Sequence, residues 1–389
     1  MNNLPLGPAL LPWAWLLLAL NSFSQSPWEG VFMPGVQHGS ERRLYADEAN
    51  GTVYATGLIR FDNTTSQHSA VLAWRNNQWD TVLYDIGHIK HTVVFHDTLF
   101  IAGGGFYSIQ GEPMGNMAYL YDGVWHSSPV AINEPGIERF RIIEDTLYAC
   151  MGQGAASSPV YRWIGDEWQP FGESAPWVAC MDIIKYNGEF YGALHQVPSL
   201  EVVSKLVDGV WVGLSDQLIG NFSTAQNLIE YQGALYIGGQ LSMNEGLPGQ
   251  GIIRYDGNTF HSLGAGLQTY LTNNNGWCGA ADMVISNGFL CVLTACNYAG
   301  GVPVNGVALW DGQQWCSMPG EPFETGGQKS ITSLNDTLYV TCGETITGEP
   351  VGYMARFVGP DLTEECALVT EVPEHINRYR AHHLHHHRP

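Results

Sequence analysis

Four acidic side chains, Asp47, Asp182, Glu230 and Asp282, fall in or near stretches that read as the inner strands of a repeated unit. Carboxylates brought together from separate strands around one axis can hold a hard cation through oxygen ligands. The competing reading is solvated strand ends in an acidic protein. His88, His91 and His96 cluster along the chain, but alternation through a strand sends them apart in space. The sequence has no EF-hand-like acidic loop, no GxSxG elbow and no HExxH helix. No catalytic residue and no metal ligand is assigned on these grounds. No cofactor is expected, and a structural calcium ion in a central tunnel is a cation these acids could hold.

The elements that would position such residues are repeated. A turn followed by an apolar strand ending in an aromatic or its substitute occurs as NGTVY (50–54), HDTLF (96–100), EDTLY (144–148), NGEFY (187–191), QGALY (232–236), NGFLC (287–291) and NDTLY (335–339). A second phrase follows as a hairpin flanked by aromatics, in AWRNNQW (73–79), LYDGVW (120–125), RWIGDEW (162–168), LVDGVW (206–211), RYDGNTF (254–260) and LWDGQQW (309–315). Asn-Gly and Asp-Gly supply the positive φ of tight hairpins, and flanking aromatics can pair across the strands. Each repeat therefore holds two hairpins, or four antiparallel strands. Units of about 45 residues of this kind predict an all-β fold, a seven-bladed β-propeller. The seventh repeat lacks its final Trp-led strand, while SPWEGVFMPG (26–35) resembles QQWCSMPG (313–320). The N-terminal strand is expected to complete the last blade and so remove a sheet edge. A linear solenoid is the alternative fold.

Nine of the eleven Trp residues beyond the first twenty-five residues occupy the repeated hairpin slots. Trp177 and Trp277 do not. Each lies fourteen residues before its anchor, Tyr191 or Cys291, and the same offset from Tyr236 gives Phe222. Three aromatics at one equivalent loop position predict a stacking platform for sugar rings or an apolar anchor for a protein, against the alternative that they seal the blade tops. Among the eight Cys, Cys278 and Cys296 stand at mirrored positions about the Asn287-Gly288 turn and are the expected disulfide.

The order Gly103-Gly104, Tyr121-Asp122, Trp125, and again Gly238-Gly239, Tyr255-Asp256, Phe260, resembles the kelch pattern. The tight WDGxxW turn at 310–315 and the GG…G-x-P loops at 103–113 and 238–248 are more similar to kelch-like propellers of secreted bacterial proteins, of the Bacteroidota type. This resemblance spans nearly the whole chain beyond the leader and implies a fold, not an activity. It brings to mind copper-radical oxidases of the galactose-oxidase type, but no Cys/Tyr pair here maps onto their crosslinked motif. The Asp-box of sialidases has a different spacing from the adjacent Asp-Gly pairs seen here, which read as hairpin turns.

The domain reading is a signal peptide over 1–25, a propeller over 26–362 and a His-rich, disordered tail over 363–389. The leader shows an apolar core at 9–20 with Ser22 and Ser24 before the cut, although its first residues carry no Lys or Arg, which leaves an uncleaved anchor as the alternative. A net charge of −21 argues against nucleic acid and anionic membranes as partners. The expected protein is a monomer, secreted or at the cell surface (extracellular or periplasmic), with no transmembrane segment after leader cleavage. It is a binding module that recognises a polysaccharide or an extracellular protein through the loop face. The alternative is a secreted hydrolase or lyase acting on glycans with acidic residues or a bound cation at the tunnel mouth.

Overall fold

The computed structural model describes residues 26–32, 36–61, 68–84, 87–106, 109, 115–127, 136–152, 158–175, 178–195, 203–214, 218–243, 250–269, 279–320, 330–343, 345–346, 349–364 and 366–367. Among them every regular element is a strand, so no helix is long and apolar enough to cross a membrane. The expected partner of Cys296, Cys278, lies outside the described residues, as do Trp177 and Trp277. Cys296 itself is buried and disulfide-bonded.

The strands form antiparallel sheets that follow the repeats. Sheet 1 contains Val36–Asp47, Thr52–Phe61, His68–Arg75 and Gln78–Tyr84. Sheet 2 contains Gly87–Phe95, Thr98–Phe106, Met117–Tyr121 and Val124–Ser127. Sheet 3 contains Ile137–Ile143, Thr146–Met151, Val160–Ile164 and Glu167–Pro170. Sheet 4 contains Ala179–Tyr186, Glu189–His195, Ser204–Val207 and Val210–Gly213. Sheet 5 contains Leu218–Tyr231, Ala234–Met243, Gln250–Tyr255 and Phe260–Ser262. Sheet 6 contains Ala280–Ser286, Phe289–Thr294, Val307–Trp310 and Trp315–Ser317. Sheet 7 takes Ile331–Leu334, Thr337–Thr341 and Met354–Phe357 from one end of the chain and Trp28–Gly30 from the other. In that last pairing Trp28 lies opposite Phe357 and Gly30 opposite Ala355.

The turn chemistry accounts for the hairpins. Asn187-Gly188 and Asn287-Gly288 both sit at positive φ between the first two strands of their sheets. In sheets 2, 3 and 7 the same turn is made by two non-glycine residues in the left-handed region, His96-Asp97, Glu144-Asp145 and Asn335-Asp336. Sheet 1 differs: four residues separate Asp47 from Thr52, and Asp47 holds that longer turn by accepting from the Asn50 side-chain amide at 2.8 Å. In the outer hairpins Trp74 faces Trp79, Trp163 faces Trp168 and Trp310 faces Trp315 across the ladder, with ring centroids 5.1 to 5.3 Å apart. These are the cross-strand aromatic pairs expected from the repeated phrase.

The core lies between sheets. Val93, Phe100 and Met117 of sheet 2 meet Phe140, Leu147 and Tyr161 of sheet 3, for example, and each following gap is filled in the same way. Leu44, Val53 and Leu72 of sheet 1 pack with Leu334, Tyr339 and Met354 of sheet 7. Sheet 6 carries a fifth strand, Cys366–Ala367, beyond the boundary drawn at 362, and a disulfide joins Cys366 to Cys316. This part of the tail is tied to the sheet.

Candidate functional site

The innermost strands carry the chemistry. In six of them the ladder is interrupted by a β-bulge, between Ser40 and Arg43, Ile89 and His91, Ile137 and Arg139, Cys180 and Asp182, Ala225 and Asn227, and Ala280 and Asp282. A bulge re-aims the side chain that follows it. Each of those six residues lies opposite the residue two past its repeat anchor, as in Arg139 opposite Cys150 or Asp182 opposite Ala193. In sheet 7 Ser330 takes the same place, its carbonyl accepting from Thr341 N–H at 3.0 Å. Arg43, His91, Arg139, Asp182, Asn227, Asp282 and Ser330 thus form a polar belt, one side chain per sheet.

The belt links neighbouring sheets. A belt side chain accepts from the backbone N–H one residue past the belt position of the following sheet: Phe140 to His91 Nδ1 (3.5 Å), Leu228 to Asp182 Oδ2 (2.8 Å), Ile331 to Asp282 Oδ2 (3.1 Å) and Leu44 to Ser330 Oγ (3.1 Å). Arg139 reaches furthest. Its Nη1 donates to Asp182 Oδ2 at 3.0 Å, its Nη2 donates to Asn227 Oδ1 at 2.9 Å, and Nη2 lies 3.7 Å from Asp282 Oδ1. Arg141, two residues on, grips Asp182 with two bonds of 2.6 Å. The geometry is the bidentate fork that guanidinium and carboxylate favour.

Asp182 is fully buried, and burial by itself would raise its carboxyl pKa. The Arg141 and Arg139 guanidiniums outweigh burial and hold it below the usual carboxylate range. Burial likewise pulls the Arg141 guanidinium down, but the Asp182 carboxylate reverses this and raises it. Among the described residues no carboxylate offsets burial at His91. Burial first, then the charges of Arg139, Arg43 and Arg141, hold its pKa well below 6.5, so the imidazole is neutral at pH 7, with Nδ1 as acceptor.

His91 makes stability depend on pH. Its folded pKa lies below the unfolded value, so the unfolded chain binds the proton first as pH falls past about 6.5. The stability present above that pH should be lost on acidification, and His91→Gln should flatten this part of the profile. Denaturant midpoints for both proteins between pH 7.5 and 5 check it, and parallel profiles would refute it.

A cavity of about 340 Å³ lies on one side of the belt. Its lining runs from the belt along the inner strands toward their tight turns: Arg43 to Ala46, His91 and Val93, Arg139 to Ile142, Asp282 to Val284, and Ser330 to Ser333. Two of the four acids singled out from sequence, Asp182 and Asp282, are in the belt. Asp47 closes its turn, and Glu230 is exposed near its strand end. The donor set does not suit calcium: Asp182 already accepts from Arg139, Arg141, Ile183 N–H and Leu228 N–H, and three guanidiniums share the space. His91 and His96 separate as expected, since His96 stands at an exposed turn bound to Asp145 at 2.7 Å while His91 is in the belt. Phe222 falls in the strand Leu218–Tyr231, and its side chain is not among those described.

Sequence reasoning missed Arg43, Arg139, Arg141, Asn227 and Ser330. A signal was present: counting nine back from the anchors at 100, 148, 191, 236, 291 and 339 gives the belt residue of each sheet, and the longer turn of sheet 1 makes the count eleven for Arg43.

No family model and no curated protein matches the chain. Solved structures are. The extracellular domain of a hybrid two-component system from B. thetaiotaomicron is similar over 86% of this chain at 10% identity, with a TM-score of 0.54. The chain spans 40% of the length of that protein. Pyrococcus horikoshii acylaminoacyl peptidase (13% identity, TM-score 0.48, 88% of this chain and 54% of that one) and a Niastella koreensis GH74 enzyme (13%, 0.41, 80% and 51%) are less similar in structure. With the sheet pattern, the first of these likenesses establishes a fold of the β-propeller type.

Proposed function

We propose that this chain is a secreted or cell-surface binding module, built as a closed seven-bladed wheel of kelch-like repeats, that recognises a polysaccharide or an extracellular protein. The state of the inner carboxylates carries this reading over the hydrolase alternative. Glycoside hydrolysis by paired carboxyl groups needs one that is protonated near neutral pH and another free to attack or to activate water. Asp182 is the reverse of the first: it is ionised, fully buried and saturated by two guanidiniums and two backbone N–H groups. Asp282 is occupied by Ser330 Oγ at 2.7 Å and by two backbone N–H groups. Such carboxylates fasten sheets together. The packing of sheet 1 on sheet 7 and the pairing of Trp28 with Phe357 support the closed wheel.

In this reading Trp177, Phe222 and Trp277 form the recognition surface of the loop face, each ring able to contribute about 2 kcal/mol or more as a binding anchor. The test is retention on insoluble glycans and on cell envelopes, with glycan cleavage assayed in parallel. The wild type should be retained without releasing sugar. Joint replacement Trp177→Ala and Trp277→Ala should weaken retention at least tenfold at an unchanged melting temperature. Steady release of reducing ends would overturn the binding reading in favour of hydrolysis, and a sharp drop in melting temperature with retention per folded molecule unchanged would make the rings core.

A further inference from the structure

The belt is unbalanced in charge. Arg139 and Arg141 share Asp182, and Arg139 also approaches Asp282. Arg43 has no such partner. Among the described residues no carboxylate or carbonyl oxygen accepts from its guanidinium, and its Nη1 is cut off from solvent without a hydrogen bond. The charges of Asp282, Glu138 and Asp182 reach Arg43, but Asp282 is bonded to Ser330, Glu138 is paired with Lys90 and Asp182 is held by Arg139 and Arg141. Three guanidiniums against two carboxylates, beside a neutral imidazole, leave one uncompensated positive charge inside a chain whose net charge is −21. A buried N–H of a half-buried guanidinium left without an acceptor is costly, and such a group in a native fold calls for a partner.

The cavity beside it is suited to supply one. Its volume of about 340 Å³ is within the range of small-ligand sites and far above that of a single water. Arg43, His91 and Thr332 line it with polar groups, and half-buried Tyr45 lines it with an aromatic one. A ligand with one anionic group, flanked by a ring with hydroxyls and an apolar face, matches that lining.

We infer that this cavity, on the turn side of the belt, is a binding site for a sugar acid, with Arg43 receiving the carboxylate. The planar fork of Arg43 takes a carboxylate through paired N–H donors. The site involves none of the loop-face aromatics and stands or falls apart from the recognition surface proposed above.

Calorimetric titration of the purified protein with glucuronate, and with glucose and sulfate as controls, tests this. The wild type should bind glucuronate and be thermally stabilised by it, with glucose giving neither effect and sulfate binding more weakly. Arg43→Gln should lose about ten- to hundredfold in affinity, the scale of charge-assisted hydrogen bonds, and should melt no lower than wild type, because the cation it removes is unpaired. Trp177→Ala should keep glucuronate binding. The inference is overturned if wild type shows neither heat nor thermal shift with glucuronate, if glucose binds as well, if sulfate binds as tightly, or if Arg43→Gln binds like wild type. The wild-type measurements decide the matter even where a variant fails to fold.

Discussion

Asp182→Ala should be the most destabilising single substitution in the belt, costing about 3–5 kcal/mol. The loss goes beyond one ion pair. Removing the carboxylate leaves the Arg141 and Arg139 guanidiniums without their acid, and it strips Leu228 N–H of the acceptor that ties sheet 5 to sheet 4. Asp182→Asn should cost less, because an amide oxygen still accepts from one donor, while Glu230→Gln at an exposed strand end should stay within about 0.5 kcal/mol of wild type. Equilibrium urea denaturation measures all three. An Asp182→Ala protein within about 1 kcal/mol of wild type would show that the belt contributes little to holding the sheets. Acid should produce the same loss gradually. The folded pKa of Asp182 is depressed, so its contribution is present above the unfolded carboxylate value and disappears as pH falls through the folded one.

Trp28→Ala should cost about 3–5 kcal/mol, the range for removing a large buried aromatic. Trp28 is 5% exposed, and its ring meets that of Phe357 edge-on at 5.2 Å, within a cluster that includes Leu309, Met318 and Val340. Its neighbour Glu29 makes only a surface ion pair with Arg356, so Glu29→Ala should cost about 1 kcal/mol or less. Denaturant midpoints for the two variants make the comparison. Equal and small effects would mean that the Trp28–Gly30 strand is peripheral to the last sheet.

The repeat was legible because its determinants are local. Turns such as Asn187-Gly188 and cross-strand pairs such as Trp74 with Trp79 are written within a few residues, and backbone sterics leave them few alternatives. The polar belt was half legible. Asp182 and Asp282 stood out as acids near inner strands, but the cations that answer them do not lie nearby in the chain: Arg139 and Arg141 are 43 and 41 residues from Asp182. Their convergence depends on bulges that shift the register, and nothing local in strands such as IERFRII or ACMDIIKY marks a bulge; only the count from the anchors across the repeats does. The disulfide between Cys316 and Cys366 is of the same kind, with a separation of 50 residues and no turn to mirror it. Tyr45 shows how a count can mislead: nine residues before Tyr54, it occupies the counted place, while the longer turn of sheet 1 puts Arg43 in the belt.

The pairing of Trp28–Gly30 with Met354–Phe357 also governs the order of assembly. Glu29 and Arg356 are 327 residues apart, whereas the hairpins within each sheet close over a few residues. Ordering so long a loop before its contacts form is entropically expensive, and contacts of that separation come late in folding. A chain emerging from its N-terminus therefore carries its first strand unpaired until its last sheet exists. Until then Trp28 is uncovered, and once Met354–Phe357 has formed its edge stays open until the two ends pair, so folding yield is vulnerable to self-association at this seam.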